Sequence, residues 1–495
     1  LTLSTDGSAT FAGTVAGTSF NGIPFFTDVA NNSMYTHNVS ATDSTAQNNT
    51  AYGFSTLQAI TSGDNNTTIG RNAGASLNTG NNNAILGSFA GDALTGGANN
   101  VAIGFAALSA ETTGSQSVAV GHQALLVQEV QGDAYNVAVG FEAGKAMTTG
   151  TANTILGGLA GDSLTTGSDN VAIGMQALSA EDTGGRNTAI GRYALQDLNT
   201  DSNAYNVAVG HNAGANVTTG IFNTLVGGLV GDALTTGNTN IAIGYLALSA
   251  ETEGDRNVAI GVGALAFQNN SDTDVYNVAI GYSAGGVITT GVNNVIMGGL
   301  AGDALTTGGK NVAIGHSALS TEDAHGNNVA IGYQALASLN AGADAYNVAV
   351  GFKTGEALTS GVQNTLIGSF AGDALTTGQF NVAIGYSALS TEDNHGKNIA
   401  IGYRALSSQN AGAEAFNVAI GHDTGRSITT GTDNTIVGGK AGDALTTGSR
   451  NIAIGLSALS TENAHGRNVA VGYNALTTQD AGADAYNVAV GYNAG

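Results

Sequence analysis

A five-residue motif, Asn-Val-Ala-Ile-Gly, recurs along the chain at nearly fixed intervals. Asn311 to Gly315 is one copy, and the residue numbers of successive closing glycines rise in steps of 17, 17, 17 and 19 before the series starts again. One step, from Gly261 to Gly281, is 20. A short period inside a longer one, here 70 or once 71, is typical of repeat proteins, whose units bury their apolar sides against their neighbours. The spacing therefore predicts a stack of coils.

Apolar side chains alternate with period two within the motif, which predicts a short β-strand closed by glycine. Val312 and Ile314 share one face of this strand, which we expect to be the core face, and Ala313 takes the other, towards a neighbouring subunit. A second apolar pair, Ala318 and Leu319, predicts a second strand. The predicted fold class is therefore all-β, a parallel β-solenoid (β-roll or β-helix) with two strands and two turns in each coil. The coil length, counted from glycine to glycine, is 17 to 20.

The spacing also predicts three regions. Residues 1–31 lie outside the repeat and predict a β-hairpin followed by a connecting segment at Pro24, the only proline. Residues 32–65 carry degenerate copies of the motif, which we expect to cap the ladder, because an exposed edge would pair with other strands. Residues 66–495 predict a regular solenoid of four-coil super-repeats, which we expect to continue beyond Gly495.

The chain is strongly acidic and contains no cysteine. Its formal net charge is −23, with 13 basic and 36 acidic residues. Nucleic acid and anionic membranes are therefore excluded as expected partners, because both attract a basic face. Without cysteine, neither disulfides nor thiolate metal sites contribute to stability. We expect the few basic residues that precede motif asparagines to pair with carboxylates of neighbouring coils or subunits.

An asparagine stands four residues before the motif glycine in every copy from Asn49 to Asn487 except at Ser117. Stacked in register about 4.7–4.9 Å apart, such side chains would hydrogen-bond along the solenoid. We interpret them as a structural ladder; the alternative is a row of amides that binds a ligand. The 26 copies at about 4.8 Å each predict a rod of about 125 Å. Representative ladder residues are Asn311, Asn328, Asn347, Asn364 and Asn381.

Aromatic residues recur at two places and are the candidates for surface recognition. Those that follow the motif glycine predict either a stripe that stacks on surface sugars or rings that pack on one another. Those that end each of the longer coils predict either a projecting binding loop or a wider turn filled by its own ring. The candidates are Tyr333, Tyr403 and Tyr473 in the first set and Tyr346, Phe416 and Tyr486 in the second.

Histidine and glutamate recur together in the last three super-repeats. His325, His395 and His465 each follow a glutamate by three residues, a spacing that could suggest a metal site. Because the copies lie four coils apart, about 19 Å, one chain cannot gather them at one ion, and we expect solvated turn residues. The sequence also contains no Ser-His-Asp motif, phosphate loop or unique carboxylate pair. We therefore expect no enzymatic activity, no cofactor and no metal.

The extended motif Asn-Val-Ala-Ile-Gly-Tyr-x-Ala-Leu, at Asn328 to Leu336 and Asn381 to Leu389, resembles two kinds of repeat. It is similar to the repeats of trimeric autotransporter adhesin heads and to those of bacteriophage tail-fibre proteins. The resemblance covers nearly the whole chain from Asn32, although adhesin heads usually have shorter coils. It implies a left-handed parallel β-roll and a homotrimer of chains packed side by side.

The function expected from this resemblance is a structural fibre shaft, a phage tail fibre that holds a receptor-binding tip away from the virion. The expected location is extracellular, on the virion tail. The expected partners are two further copies of the chain, other virion or tail proteins, and a host surface glycan or protein. The first alternative is a bacterial surface adhesin or extracellular filament subunit. The second is a fibre-borne polysaccharide depolymerase, since a solenoid fibre can carry a pair of catalytic carboxylates.

Overall fold

The computed structural model describes residues 2–3, 9–10, 26–28, 31–36, 45–271, 274–480 and 482–495. These residues contain no helix, and 27 parallel strands form a β-solenoid of about 26 turns. The predicted all-β parallel solenoid is thus confirmed. The chain divides into two compact units, Leu1–Leu225 and Val226–Gly495.

The N-terminal strands differ from the rest because they pair antiparallel. Strand β1 (Thr2–Leu3) pairs antiparallel with β2 (Ala9–Thr10), and β3 (Phe26–Asp28) pairs antiparallel with β4 (Ser33–Tyr35). Strand β4 also pairs in parallel with β5 (Thr50–Tyr52), which begins the ladder. Strand β3 therefore covers the first edge of the parallel sheet, where an unpaired strand would offer its backbone to other chains.

The register at the first coil differs by one residue from the prediction. Counting one coil back from Gly53 predicts Thr36 in line with it, but Tyr35 lies opposite Ala51. Because a shift of one residue exchanges the two faces of a strand, the Tyr35 ring enters the core and is only 1% exposed. The predicted alignment is therefore wrong by one residue. The connection predicted at Pro24 lies outside the described residues.

The remaining strands are three residues long and repeat the motif positions. In chain order, β6 to β30 are Thr67–Ile69, Ala84–Leu86, Val101–Ile103, Val118–Val120, Val137–Val139, Thr154–Leu156, Val171–Ile173, Thr188–Ile190, Val207–Val209, Thr224–Val226, Ile241–Ile243, Val258–Ile260, Val278–Ile280, Val295–Met297, Val312–Ile314, Val329–Ile331, Val348–Val350, Thr365–Ile367, Val382–Ile384, Ile399–Ile401, Val418–Ile420, Thr435–Val437, Ile452–Ile454, Val469–Val471 and Val488–Val490.

The two faces of the motif strand are the reverse of those predicted. Ala313 is fully buried, whereas Val312 and Ile314 are only partly buried and point outwards. The alanine faces the interior of the coil because Leu319, also fully buried, fills the space opposite the strand. The expectation that the two larger residues form the core is therefore wrong. They form the outer face of the sheet, where β-branched residues also pack well against their neighbours in adjacent strands.

The larger core residue changes sides between the fourth type of coil and the coil that follows it. In the fourth type of coil, Leu366 replaces the central alanine, and Gly372 stands where the next coil has Leu389. A Cβ atom added to Gly372 would lie 3.0 Å from Leu366 Cδ2, so that glycine is what admits the larger strand residue. Large and small residues therefore exchange sides between these two coils, which keeps the interior filled.

The second predicted strand is not formed. The segment that contains Ala318 and Leu319 is a run of turns in which alternate residues have positive φ, with 53° at Ser317 and 52° at Leu319. It still bonds to both neighbouring coils, because the Leu319 N–H donates to the Ala335 carbonyl at 3.0 Å and the Ser317 N–H donates to Gly299 at 3.1 Å. Each coil thus contains one strand, and its opposite wall consists of hydrogen-bonded turns.

Candidate functional site

The motif asparagines form a buried ladder that connects successive coils. The Asn347 Oδ1 atom accepts the backbone N–H of Asn364 at 2.9 Å, and its Nδ2 donates to the Gly361 carbonyl at 2.8 Å. The backbone N–H of Asn328 donates likewise to Asn311 Oδ1 at 3.0 Å. The side chains of Asn311, Asn328 and Asn347 are fully buried with their polar atoms bonded within the chain, so they cannot contact a ligand. The fully buried members include Asn311, Asn328, Asn347, Asn364 and Asn381.

The exception at Ser117 is bridged by a glutamine of the longer coil. The Ser117 N–H still donates to Asn100 Oδ1 at 2.9 Å. Gln128 donates from Nε2 to Ser117 Oγ at 2.8 Å and accepts at Oε1 from Asn136 Nδ2 at 2.9 Å. A neighbouring side chain therefore carries the hydrogen-bonded row past the serine, which is too short to reach the next coil.

The aromatic residues that follow the motif glycine stack on one another. His316, Tyr333 and Phe352 lie in successive coils, with ring centroids 5.6 and 5.3 Å apart and interplanar angles of 18° and 11°. The offset or near-parallel arrangement of such rings adds stabilisation beyond the burial of their surface. The same stacking joins Phe105, His122 and Phe141, then Tyr386, Tyr403 and His422, and finally Tyr473 and Tyr492.

This stacking limits what the first set of candidates can bind. Tyr333 and Tyr403 each have a ring on both sides, although both are 43% exposed. Their exposed parts are therefore ring edges and hydroxyl groups. A sugar has no free ring face on which to stack at these two positions. Tyr473 also stacks on a neighbouring ring, that of Tyr492, in the arrangement predicted for rings that pack on one another.

The aromatic residues that end the longer coils are more exposed. Tyr346, Phe416 and Tyr486 are 55%, 51% and 65% exposed. The Arg467 guanidinium carbon lies 5.2 Å from the centroid of Tyr486, and Lys397 Nζ lies 5.1 Å from that of Phe416, so a cation covers one face of each ring. The same contact joins Arg186 with Tyr205 and Arg256 with Tyr276.

The cations on these turns also pair with carboxylates of adjacent coils, as predicted. Arg186 Nε lies 3.5 Å from Asp169, and Arg450 Nε lies 3.8 Å from Asp433. Ion pairs also join Arg256 with Asp274, Lys397 with Glu414, and Arg467 with Asp484. Because the partners are exposed, each pair contributes little to stability. Four of the six longer coils, those that end in Tyr205, Tyr276, Phe416 and Tyr486, thus present a ring, a cation and a carboxylate together.

A buried glutamate in each super-repeat is the residue that the sequence interpretation missed. Glu322 is fully buried, and its two carboxylate oxygens accept the N–H groups of His325 at 3.1 Å and Ala341 at 3.3 Å. The expectation of a solvated turn is therefore wrong for this residue, which binds N–H groups of its own turn and of the next coil. In the sequence, the signal that could have identified this glutamate is its recurrence three residues before a glycine or a histidine. The set is Glu111, Glu181, Glu251, Glu322, Glu392 and Glu462.

The outward valines and isoleucines form an apolar strip on the sheet. Consecutive strands are in register, so that Val312 lies opposite Val329 and Ile314 opposite Ile331. Along the strip the residue before the motif glycine remains substantially exposed in several coils, for example 37% at Ile367. Isolated exposed apolar residues are common on proteins, but a continuous row of them marks an interaction surface.

An aspartate row lies on the wall opposite the strands. Oδ1 of Asp373 is buried without a hydrogen-bond partner, and partial burial raises the pKa of this carboxyl to about 6, with a further contribution from Glu356. Burial also raises the pKa of the corresponding carboxyls. The other members of the row are Asp162, Asp232, Asp303 and Asp443.

Acidification should therefore stabilise the folded chain over the pH range in which these aspartates titrate. The folded-state pKa of Asp373, about 6, lies above its ordinary value of 3.8, so the stabilising contribution is complete below pH 3.8 and is lost as the pH rises through 6. We expect replacement of all five aspartates by asparagine to raise the apparent Tm at pH 7 by a few degrees, and this difference to vanish by pH 4. Circular dichroism melts across this range test it, with the exposed Asp201→Asn as control. A constant difference at all pH values would contradict the assignment.

Comparison of the chain with protein-family models and with curated proteins gives no match. Among the described residues, no helix has the length and apolar character needed to cross a membrane.

Proposed function

We infer that this chain is the shaft subunit of a fibre, a phage tail fibre in which three copies pack side by side. The observation that supports this proposal is the outward Val/Ile strip. In the second unit the outward residue before the motif glycine is valine or isoleucine in every in-register strand from Ile314 to Val471, whereas the other outward row has threonine at Thr365 and Thr435. Within a single chain, these outward side chains only pack against their neighbours in adjacent strands.

The repetition of the strip at every coil supports an interface between subunits. Ten strands at about 4.8 Å, with outward residues about 7 Å apart along each strand, present a mainly apolar patch on the order of 300 Å² in this unit alone. The largest apolar patches on monomeric proteins reach a similar area, so the regular row of side chains, and not its area, is what supports an interface. Covering the exposed part of each isoleucine would contribute on the order of 1 kcal/mol. Because the contact repeats at every coil, these small contributions accumulate along the solenoid.

The tail-fibre assignment and the number three are supported by the resemblance of the repeats. In this proposal the shaft is extracellular, on the virion tail, and its other partners are tail proteins and a host surface glycan or protein. The acidic chain would approach an anionic cell surface without binding it, since net charge of −23 opposes non-specific adsorption. Tail and baseplate genes are the expected neighbours of the coding sequence. Secretion and anchor sequences there would favour the adhesin alternative.

Lysines on the strip should prevent assembly without unfolding the coils. We expect Ile331, Val350 and Ile367, changed together to lysine, to give a folded chain of 48.8 kDa, because these side chains lie outside the core. Light scattering reports the mass, and circular dichroism reports the fold. The control changes the exposed Ala343, Ala413 and Ala483 to lysine and should leave the mass of the assembly unchanged. An unchanged assembly in the strip variant would exclude this face as the interface.

A further inference from the structure

One turn in each of the last three super-repeats gathers an imidazole and two carboxylates. Glu322, Asp323 and His325 place their ligand atoms within 4.8 Å of one another, and Glu392, Asp393 and His395 do the same. In the third copy the group is Glu462, His465 and Asp480. The first two groups each lie within one turn, and the third adds a residue of the next coil. The distance between copies therefore does not prevent each turn from binding an ion of its own.

The imidazole nitrogen of each group faces the buried glutamate without a hydrogen bond to it. Nδ1 of His325, His395 and His465 lies 3.4, 3.6 and 3.4 Å from the glutamate Oε1. These separations exceed the roughly 2.7–3.2 Å of an N–H···O hydrogen bond, and each Nδ1 atom is buried with no hydrogen-bond partner. Two ligands bonded to one tetrahedral zinc ion at about 2.0–2.2 Å lie roughly 3.3–3.6 Å apart. The observed distances match that edge.

The second carboxylate is retained when its position changes. Asp323 and Asp393 stand directly after the buried glutamate, but the third copy has Asn463 there. In that copy Asp480, one coil further on, supplies the carboxylate, whereas the corresponding residues of the first two copies are Asn340 and Asn410. Aspartate and asparagine thus exchange places between adjacent coils, and every turn keeps one histidine and two carboxylates. A turn that only faces solvent would not require one histidine and two carboxylates in every copy.

The super-repeats without this histidine satisfy the glutamate in a different way. Glycine replaces histidine at Gly114, Gly184 and Gly254. In these turns the glutamate accepts a side-chain hydrogen bond in addition to its backbone bonds: Glu111 from Gln128 at 3.1 Å, Glu181 from Thr200 at 3.1 Å, and Glu251 from Gln268 at 2.8 Å. The histidine turns therefore form a separate class with a different arrangement around the same buried carboxylate.

We propose that the three histidine turns bind zinc ions, one at each turn, through the imidazole Nδ1 and two carboxylates. Neutral imidazole and carboxylate oxygen are ligands that zinc accepts, and three protein ligands leave a fourth position for water or for a group from another molecule. The buried glutamate is already oriented by its backbone hydrogen bonds, which lowers the cost of arranging the site. In the third copy, where Asp480 belongs to the next coil, bound zinc would cross-link the turn to that coil.

Zinc binding to the full chain tests this proposal. Chelator-treated protein is titrated with ZnCl₂ by calorimetry, and the metal retained after dialysis is counted by emission spectroscopy. We expect three ions per chain, two after Asp480→Asn, and none after the combined His325→Gly, His395→Gly and His465→Gly, which introduces the residue that other super-repeats carry. The control combines His122→Ser, His211→Ser and His316→Ser, residues found at that position in other coils, and should retain three.

Cobalt provides a second readout, because tetrahedral Co²⁺ bound to imidazole and carboxylate absorbs visible light. The absorption should appear with the wild-type chain and disappear in the triple glycine variant, whose circular dichroism should be unchanged. Absence of bound zinc would overturn the proposal in favour of a simple His–Glu ion pair. Zinc retained by the triple glycine variant, or displaced by an equal concentration of Ca²⁺, would also overturn it.

Discussion

Replacement of Gly332 by alanine should disrupt the ladder at the centre of the second unit. The backbone at Gly332 has φ of +138°, a conformation that residues with a side chain rarely adopt. An added Cβ would overlap the Gly351 carbonyl oxygen of the next coil and lie 2.6 Å from its carbon. Backbone cannot rotate away from this clash, so we expect a loss of about 3 kcal/mol or more in local stability.

Hydrogen exchange at the ladder amides on both sides of the substitution measures this loss. The N–H groups of Gly332 and Gly351, which donate to Ile314 and Ile331 at 2.7 and 2.8 Å, should lose protection by about two orders of magnitude. Gly342→Ala is the matched control, because it lies in the same coil at φ of +70° with no atom within 4 Å of the added Cβ. It should cost only about 1 kcal/mol. If the two substitutions had equal effects, the close approach of adjacent coils would not be the reason for a glycine at position 332.

Removal of one ladder amide should have an effect of similar size. In Asn347→Ala, the N–H of Asn364 and the carbonyl of Gly361 both lose their side-chain partner in the core. Each unsatisfied buried group costs about 1–3 kcal/mol, so the variant should be less stable by about 2–6 kcal/mol. Apparent Tm and exchange of the Asn364 amide provide the measurement.

The exposed Asn340 supplies the control for the ladder substitution. Asn340→Ala should change stability by less than about 0.5 kcal/mol, because this side chain lies on the surface. If Asn347→Ala were no more destabilising than Asn340→Ala, the asparagine row would not hold the coils together, and the interpretation of the ladder would fail.

From Asn49 onwards, the repeat and its register could be predicted because both depend on spacing alone. Strands that bond in register require nearly equal coil lengths, and the positions of motif residues such as Asn311 and Gly315 state those lengths directly. The face that each strand turns inwards could not be predicted in this way. Alternation of Val312, Ala313 and Ile314 defines two faces but not the inner one, which depends on Leu319 across the coil.

Two further features depend on contacts that sequence patterns do not reveal. Leu319 adopts positive φ, which is uncommon for residues with a side chain, so its apolar character suggested a strand. Glu322 is buried, although charged residues are almost never fully buried, because N–H groups of two coils converge on its carboxylate. The aromatic candidates could be found from their recurrence, but the cations over Phe416 and Tyr486 become apparent only when adjacent coils are stacked.

The mass of the folded chain in solution tests the central claim most directly. Light scattering coupled to size exclusion should give three times the chain mass of 48.8 kDa, at concentrations where circular dichroism shows a folded β-structure. A folded particle of 48.8 kDa would contradict the proposed shaft, since the apolar strip would then be stable in contact with water.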